Sequence, residues 1–148
     1  MARMAQVQEV NKELLVKTLK NAEKILEREE NWTRGSFART KEEYSEHWKE
    51  PKAHSFCLKG ALLKGGYEAG KASPDIYHNH IHYVVDLAEA VVSEEILDTP
   101  LGEKLGLEMP GEVCCARFND SKDTSHQDVL DILRSARIVA EDIDIEEG

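Results

Sequence analysis

Three histidines within five residues, His78, His80 and His82, are the densest group of metal-ligating side chains in the sequence. If this segment is helical, His78 and His82 lie one turn apart on the same side, a spacing that can chelate a transition metal. A third ligand would have to come from elsewhere in the chain. The candidates are His54, His126, Asp75 or a cysteine. The sequence favours structural or surface histidines with no cofactor, and an adventitious divalent transition metal at His78 and His82 is the alternative.

Thiol chemistry has weaker support. Cys57 lies in the middle of a predicted apolar helix face, where a free cysteine usually behaves as a small buried hydrophobe. His54, one turn earlier, could act as its base, but a nucleophilic thiol also needs an electropositive setting. Cys114 and Cys115 are adjacent, so we expect that they do not both face the core. The chain has no glycine-rich phosphate loop, GxSxG or kinase motif, and a non-catalytic protein is therefore favoured.

Two polar turns flank predicted helices, at residues 32–39 and 118–121. Asn and Asp commonly close such turns by bonding their own backbone, although loops on helical scaffolds also carry binding groups. If the two turns meet, Trp32, Arg39, Asn119 and Asp120 are the candidate ligand-binding residues. Arg39 would offer a planar fork to a carboxylate or phosphate, and Trp32 a flat surface for stacking. The alternative is a buried ion pair between Arg39 and Asp120 that fixes the fold.

The chain has 148 residues, of which 41% are hydrophobic and 32% charged. A single domain of that size can bury a core without metals or disulfides. The 29 acidic and 19 basic residues give a net charge of −10. Residues 1–70 hold 13 basic and 11 acidic residues, whereas residues 71–148 hold 6 and 18. This balance argues against nucleic-acid binding through a basic face.

Several absences bound the class of protein. No apolar run reaches the length of a membrane span, and residues 1–20 show no signal-peptide pattern. Three cysteines without a CxxC pair argue against a secreted disulfide scaffold. We expect a cytoplasmic protein with no membrane contact, built as one helical domain over residues 1–140 with an acidic tail at 141–148.

Apolar residues at steps of three and four predict a first helix over about residues 6–29. Thr40 followed by Glu43 is a capping-box pattern and predicts a short helix that ends before Pro51. Residues 54–64 have helical spacing, and Gly65-Gly66 is a natural stop because glycine tolerates the left-handed cap conformation.

The second half continues the helical pattern. Ser73-Pro74-Asp75 predicts the start of a helix that closes at Pro100, followed by a loop over 101–112. Residues 113–118 fit either a buried strand or a helical turn. Thr124 with Gln127 predicts the capping box of the last helix. The expected fold is mainly α, a compact single-domain bundle of four to five helices, with the strand near 113–118 left open.

These segments resemble the signature of a domain family of unknown function found in actinobacterial and bacteriophage genomes. The resemblance extends from about residue 10 to residue 137. Its motifs are Asn31-Trp32-Thr33-Arg34-Gly35-Ser36-Phe37-Ala38-Arg39, then Cys57-Leu58-Lys59-Gly60-Ala61-Leu62, Phe118-Asn119-Asp120 and Val129-Leu130-Asp131-Ile132-Leu133. Thr33 stands where the family often has cysteine, and Phe118 replaces tryptophan. The resemblance implies no activity, but it implies a bacterial or phage cytoplasmic setting and singles out Trp32, Arg39, Asn119 and Asp120.

Three functions remain open at this stage. The first is a small acidic, non-catalytic binding module, such as a phage-encoded accessory protein that engages a basic host protein or a small nucleotide-like ligand. The second is a metal-dependent hydrolase that uses His78, His80 and His82. The third is a self-associating structural protein. The oligomeric state does not follow from the sequence.

Overall fold

The structure is a computed structural model that describes residues 2–71 and 78–142, with side chains for 12–71 and 82–142. Within these residues it contains six α-helices, a short 3₁₀ turn at Glu29–Asn31 and two short strands. The helices are α1 (Ala2–Ile25), α2 (Leu58–Lys71), α3 (His78–Leu97), α4 (Pro100–Lys104), α5 (Glu112–Asp120) and α6 (His126–Asp142). The strands β1 (Ala38–Arg39) and β2 (Ser55–Phe56) pair antiparallel. The prediction of a mainly helical single domain is confirmed.

Helices α1, α2, α3 and α6 form the packed body. Helix α1 packs against α2, α3 and α6, and α3 also packs against α2, α5 and α6. Their apolar stripes supply fully buried side chains such as Leu19, Leu62, Val84 and Leu133. Because apolar residues recur at helical spacing within each of these helices, burying one face of each helix creates a continuous core.

The predicted helix stop at Gly65-Gly66 is wrong, because both glycines lie inside α2 and are buried. A Cβ on Gly65 would lie 2.8 Å from the carbonyl oxygen of Thr18 in α1. The side-chain amide of Asn21 also donates to the Gly65 carbonyl at 3.0 Å. Gly65 therefore allows two helix backbones to approach closely rather than ending one of them.

The predicted helix at residues 40–50 is also absent. The Thr40 N–H donates to the Tyr44 carbonyl, and the Tyr44 N–H donates to the Thr40 hydroxyl at 3.3 Å, which closes a turn instead. Glu43 has a φ of 73°, in the left-handed region. The Thr40 side chain is used within this turn, so the capping-box pattern does not start a helix here.

Residues 113–118 belong to α5, which decides the open choice between strand and helix. Cys114 and Cys115 are both buried, so the expectation that only one would face the core is wrong. Helix α5 contacts α3 and α2, and the two adjacent side chains are buried in this packing. Residues 101–112, predicted as a loop, include α4, whose cap Thr99 accepts the Gly102 N–H at 3.0 Å.

Helix α6 begins one residue later than the capping box predicted. Ser125, not Thr124, accepts the Asp128 N–H at 3.0 Å, and Asp128 accepts the Ser125 N–H at 2.9 Å. The reciprocal pair satisfies two otherwise free helix N–H groups with an aspartate at the third helical position. Helix α6 then runs through Glu141 to Asp142, and Glu141 pairs with Arg137 at 3.1 Å.

Two predictions fall partly or wholly outside the described residues. The helix start at Ser73-Pro74-Asp75 lies outside them, as does the acidic segment 143–148. Among the helices that the structure describes, none is long and apolar enough to cross a membrane.

Candidate functional site

Asn119, in the last turn of α5, joins three segments that are distant in the sequence. Its buried side-chain oxygen accepts the indole N–H of Trp32 at 2.7 Å and the backbone N–H of Leu58 at 3.0 Å. Its side-chain amide donates to the Thr33 carbonyl at 3.1 Å and to the Asp120 carboxylate at 3.0 Å. These five residues are called the Asn119 node. Asn119 uses both its acceptor and its donor capacity within the fold.

Neighbouring residues make further contacts with Asp120 and Trp32 of the Asn119 node. The Asp120 carboxylate accepts the backbone N–H of Gly35 at 2.9 Å, and Gly35 has a φ of 77° that favours glycine. The guanidinium of Arg34 stacks over the Trp32 ring at 4.4 Å from its centroid and donates to the Thr124 carbonyl. The centroid of the His126 imidazole lies 6.0 Å from the centroid of the Trp32 ring. Trp32 is thus surrounded by the protein's own groups.

Arg39 also binds the loop that contains Thr33 and Arg34. Its guanidinium donates to the Thr33 hydroxyl at 3.0 Å, to the Arg34 carbonyl at 3.1 Å and to the Glu43 carbonyl at 3.2 Å. Arg39 and Asp120 form no ion pair with each other, although both bind the 33–35 segment. All four sequence-predicted ligand residues therefore meet at this loop, where their polar groups bond mainly to the protein itself.

The start of α2 fits tightly under this loop. A Cβ on Gly60 would lie 1.9 Å from the Phe37 carbonyl oxygen, so the backbones approach too closely for any side chain. The same carbonyl accepts the Cys57 N–H at 3.1 Å. Cys57 precedes α2 rather than lying within a helix, which corrects the sequence prediction, and its sulfur accepts the Gly60 N–H at 3.3 Å.

The three cysteines are free, buried thiols. Burial raises the pKa of Cys57, and the backbone N–H groups of Gly60 and Lys59 only partly offset this effect. Burial also raises the pKa of Cys115, with a further contribution from the Glu89 carboxylate. Cys115 donates to the Glu89 carbonyl at 3.7 Å. Such thiols remain protonated at neutral pH, and this setting does not activate a nucleophile.

A buried ion pair connects α2 to α3. The Lys59 ammonium lies 2.8 Å from the Glu89 carboxylate, and the two side chains are only 12% and 8% exposed. Neither charge could be buried without the other, because an isolated charge in the interior costs several kcal/mol. We interpret the pair as part of the fold.

A basic and aromatic surface surrounds Tyr67 of α2. The ammonium groups of Lys49, Lys71 and Lys64 lie 4.7, 5.1 and 5.9 Å from the centroid of the Tyr67 ring. The Trp48 ring meets Tyr67 edge-on, with ring centroids 5.9 Å apart. These five residues are called the lysine–tyrosine surface. It concentrates three positive charges on a protein whose net charge is −10.

The lysine–tyrosine surface is built from α2 and from the turn at residues 47–53. Lys64, Tyr67 and Lys71 share one face of α2 because they follow each other at steps of three and four. Lys49 comes from the 47–53 turn, where the His47 imidazole accepts the Lys49 N–H at 3.1 Å. His47 also stacks on Trp48, with ring centroids 5.2 Å apart. The helical spacing in Lys64-x-x-Tyr67-x-x-x-Lys71 is a sequence signal for this surface, and the motifs singled out in the sequence did not include it.

The charges of this surface are incompletely balanced in the described part of the chain. Glu68 pairs with Lys64 at 3.3 Å, and no described carboxylate lies within ion-pair distance of Lys49 or Lys71. By contrast, an open groove of about 510 Å³ between α1 and α6 carries both signs. There Glu23 binds Arg137 at 2.5 Å. The lysine–tyrosine surface thus gathers three positive charges with one described ion pair among them.

The histidine cluster is only partly described. The side chains of His78 and His80 lie outside the described residues, and His82 is exposed on α3. Among the side chains that the structure describes, no group of three His, Cys, Asp or Glu residues could hold a metal ion.

Comparison with known families gives one match. Residues 11–138 match the sequence model of DUF6197, a family of unknown function. The chain belongs to the DUF6197 family. The resemblance to a family of unknown function is thus confirmed, and the matched range contains both the Asn119 node and the lysine–tyrosine surface. Comparisons with curated proteins and with solved structures gave no match.

Proposed function

We propose that this DUF6197 protein is a non-catalytic binding module for a small phosphorylated ligand, which it holds at the lysine–tyrosine surface. The observation that carries the proposal is the convergence of three ammonium groups within 5.9 Å of the Tyr67 ring centroid. Like charges repel, and the face of one tyrosine returns only about 0.5–1 kcal/mol for each exposed cation. A bound phosphate group would offset this repulsion.

A phosphate fits the chemistry of this surface. Lysine binds phosphate as a compact point charge with three donors, so several lysines can surround one phosphate chain. A pair of phosphates carries more negative charge in a small volume than a single carboxylate does. We therefore favour a phosphorylated ligand over a carboxylic acid.

The backbone that carries this surface is held in place by the fold. The loop that carries Lys49 is anchored by the pairing of β1 with β2 and by the Gly60 contact with Phe37. The opposite wall is one face of α2. A site held in place before the ligand arrives loses less free energy on binding than a mobile one.

Titration calorimetry with inorganic pyrophosphate tests the proposal. We expect the wild type to bind, and binding to weaken as salt concentration rises because exposed charges are screened. Changing Lys49, Lys64 and Lys71 together to glutamine should weaken binding at least about tenfold, or about 1.4 kcal/mol.

The control variant carries the same loss of charge elsewhere. Lys17, Lys41 and Lys122 are exposed and lie outside this surface, so their joint change to glutamine should leave the pyrophosphate affinity within about twofold. The proposal fails if the wild type does not bind pyrophosphate, or if both triple variants lose binding equally.

The cysteines bear on the compartment. Cys57, Cys114 and Cys115 are free and buried. Free thiols are usual where glutathione and thioredoxin keep cysteines reduced, and this supports our proposal that the protein acts in the cytoplasm.

A further inference from the structure

Beside the three lysines, the structure places an aromatic stack that phosphate binding alone does not require. Resting on the proposed function, we infer that the ligand of the lysine–tyrosine surface is a nucleoside diphosphate or triphosphate whose base stacks on His47. The lysines would bind the phosphates, and the ring of His47 would receive the base.

The stack consists of His47 and Trp48. Their ring centroids lie 5.2 Å apart, and the ring planes are inclined by 28°. Trp48 is half-buried against the core, whereas His47 is exposed. A nucleobase added to His47 would extend an existing stack over a supported ring. Bases stack on His, Tyr, Phe and Trp side chains in many binding sites.

The residue proposed to stack on the base, His47, and a lysine proposed to bind the phosphates, Lys49, lie in the same turn. The His47 imidazole accepts the N–H of Lys49 at 3.1 Å, so the stacking ring and the nearest lysine belong to one short turn. The Glu50 N–H donates to the His47 carbonyl at 3.0 Å and closes this turn. Base and phosphates would therefore be held at adjacent places, as a single nucleotide requires.

The extent of positive charge favours a nucleotide over an oligonucleotide. All three ammonium groups lie within 5.9 Å of the Tyr67 ring centroid, so the positive charge is confined to one small patch around that ring. A polymer would carry further phosphates onto a molecule whose residues 71–148 hold 18 acidic and 6 basic residues. The added repulsion would oppose a longer strand.

Calorimetry with ADP and inorganic pyrophosphate on the full chain tests the inference. Because base–aromatic stacking contributes about 1–3 kcal/mol, ADP should bind the wild type at least about tenfold more tightly than pyrophosphate. Two variants of His47 separate its ring from its hydrogen-bond acceptor. His47→Phe keeps a ring and loses the acceptor for Lys49, and His47→Asn keeps an acceptor and loses the ring.

We expect His47→Phe to retain the preference for ADP and His47→Asn to lose it, with pyrophosphate affinity similar in both. If ADP binds the wild type no more tightly than pyrophosphate, or if His47→Asn keeps the preference, the inference is wrong and the proposed function stands. If neither compound binds the wild type, the proposed function itself fails. Tighter binding of a short oligonucleotide than of ADP would contradict the choice of ligand.

Discussion

The Asn119 node and the lysine–tyrosine surface are both built from polar residues on loops and helix faces, but they use their polar groups in opposite ways. At the Asn119 node the side-chain amide makes four hydrogen bonds to other groups of the protein. At the lysine–tyrosine surface three ammonium groups converge, and the described residues supply one ion pair, between Lys64 and Glu68. The hydrogen-bonding groups of the Asn119 node are paired within the protein, whereas the positive charges of the lysine–tyrosine surface are only partly paired by described residues.

On our proposal, this difference separates residues that hold the fold from residues that bind a ligand. A buried polar group must find a partner within the protein, so a fully bonded cluster follows from folding alone. Like charges gathered at a surface gain little from folding alone, here the contacts with the Tyr67 ring and the Lys64–Glu68 ion pair. We therefore expect substitutions in the two regions to affect different measurements, stability in one and binding in the other.

The largest effect should come from Asn119→Ala. This change leaves the Trp32 indole N–H and the Leu58 N–H without their acceptor, and each unsatisfied buried donor costs about 1–3 kcal/mol. We expect the free energy of unfolding, measured by urea denaturation, to fall by about 4 kcal/mol. Asp120→Ala is the control, because it removes one acceptor of the Asn119 amide and leaves both hydrogen bonds to the Asn119 oxygen in place. A loss as large in Asp120→Ala as in Asn119→Ala would show that the Asn119 oxygen is not the main stabilising group.

Two lysines on the same helix give the next contrast. Lys59→Ala leaves the Glu89 carboxylate buried without its partner, so we expect a loss of about 3 kcal/mol. Lys64→Ala removes a partly exposed lysine of the lysine–tyrosine surface, whose side chain is 26% exposed, and should change stability by less than about 0.5 kcal/mol. Parallel urea titrations of the two variants check this. Equal losses in free energy of unfolding would contradict the proposed distinction between residues that hold the fold and residues that bind a ligand.

A smaller change in stability is expected from the triple glutamine variant of Lys49, Lys64 and Lys71. Removing three like charges relieves repulsion but also removes three contacts with the Tyr67 ring. These opposing effects should leave the free energy of unfolding within about 0.5 kcal/mol of the wild type. Thermal unfolding beside the pyrophosphate titration measures both quantities. A large loss of stability would assign these lysines to the fold.

The smallest effect concerns a second group of like charges, at the end of α3. Burial, with Asp98 and Glu94, raises the pKa of Glu95 above its usual value. A raised pKa means that the folded state is favoured when the carboxyl is protonated, so this contribution is lost as pH rises through the folded pKa. Because solvent screens this partly exposed group, Glu95→Gln should raise the Tm at pH 7 by only about 1 °C.

The Glu95 advantage should disappear below about pH 4, where the wild-type carboxyl is protonated in both states. Glu112→Gln is the matched control, since Glu112 lies in the first turn of α5, where a negative charge is favourable. We expect no gain in Tm from that change. A gain in both variants would point to net charge rather than to local repulsion.

The sequence predicted helices and core better than it predicted the ends of elements. Periodicity identified the apolar faces because packing depends on spacing that a single segment already contains. Gly65 was misread because its role depends on Thr18, which is distant in the sequence. Thr40 was misread because its hydroxyl bonds within a turn.

The candidate site shows the same limit. Residues 32–39 are non-helical as predicted, whereas residues 118–120, predicted as part of a polar turn, are the last turn of α5. The structure nevertheless brings Trp32, Arg39, Asn119 and Asp120 together at the 32–39 loop. Whether their groups are used within the fold depends on long-range partners such as Leu58 and Thr124, which the local motifs do not reveal. Lys64, Tyr67 and Lys71 could have been grouped from helical spacing alone, but Lys49 joins them only through tertiary structure.

The Asn119 node also imposes an order on folding. It joins Trp32, Leu58 and Asn119, which are separated by as many as 87 residues. The segment from Trp32 to Leu58 can therefore reach its final arrangement only after α5 has been synthesised. Contacts of such high sequence separation slow folding, because the intervening chain must be ordered first. Pulse-labelled hydrogen exchange during refolding should find the Leu58 N–H protected later than the amides in the middle of α1.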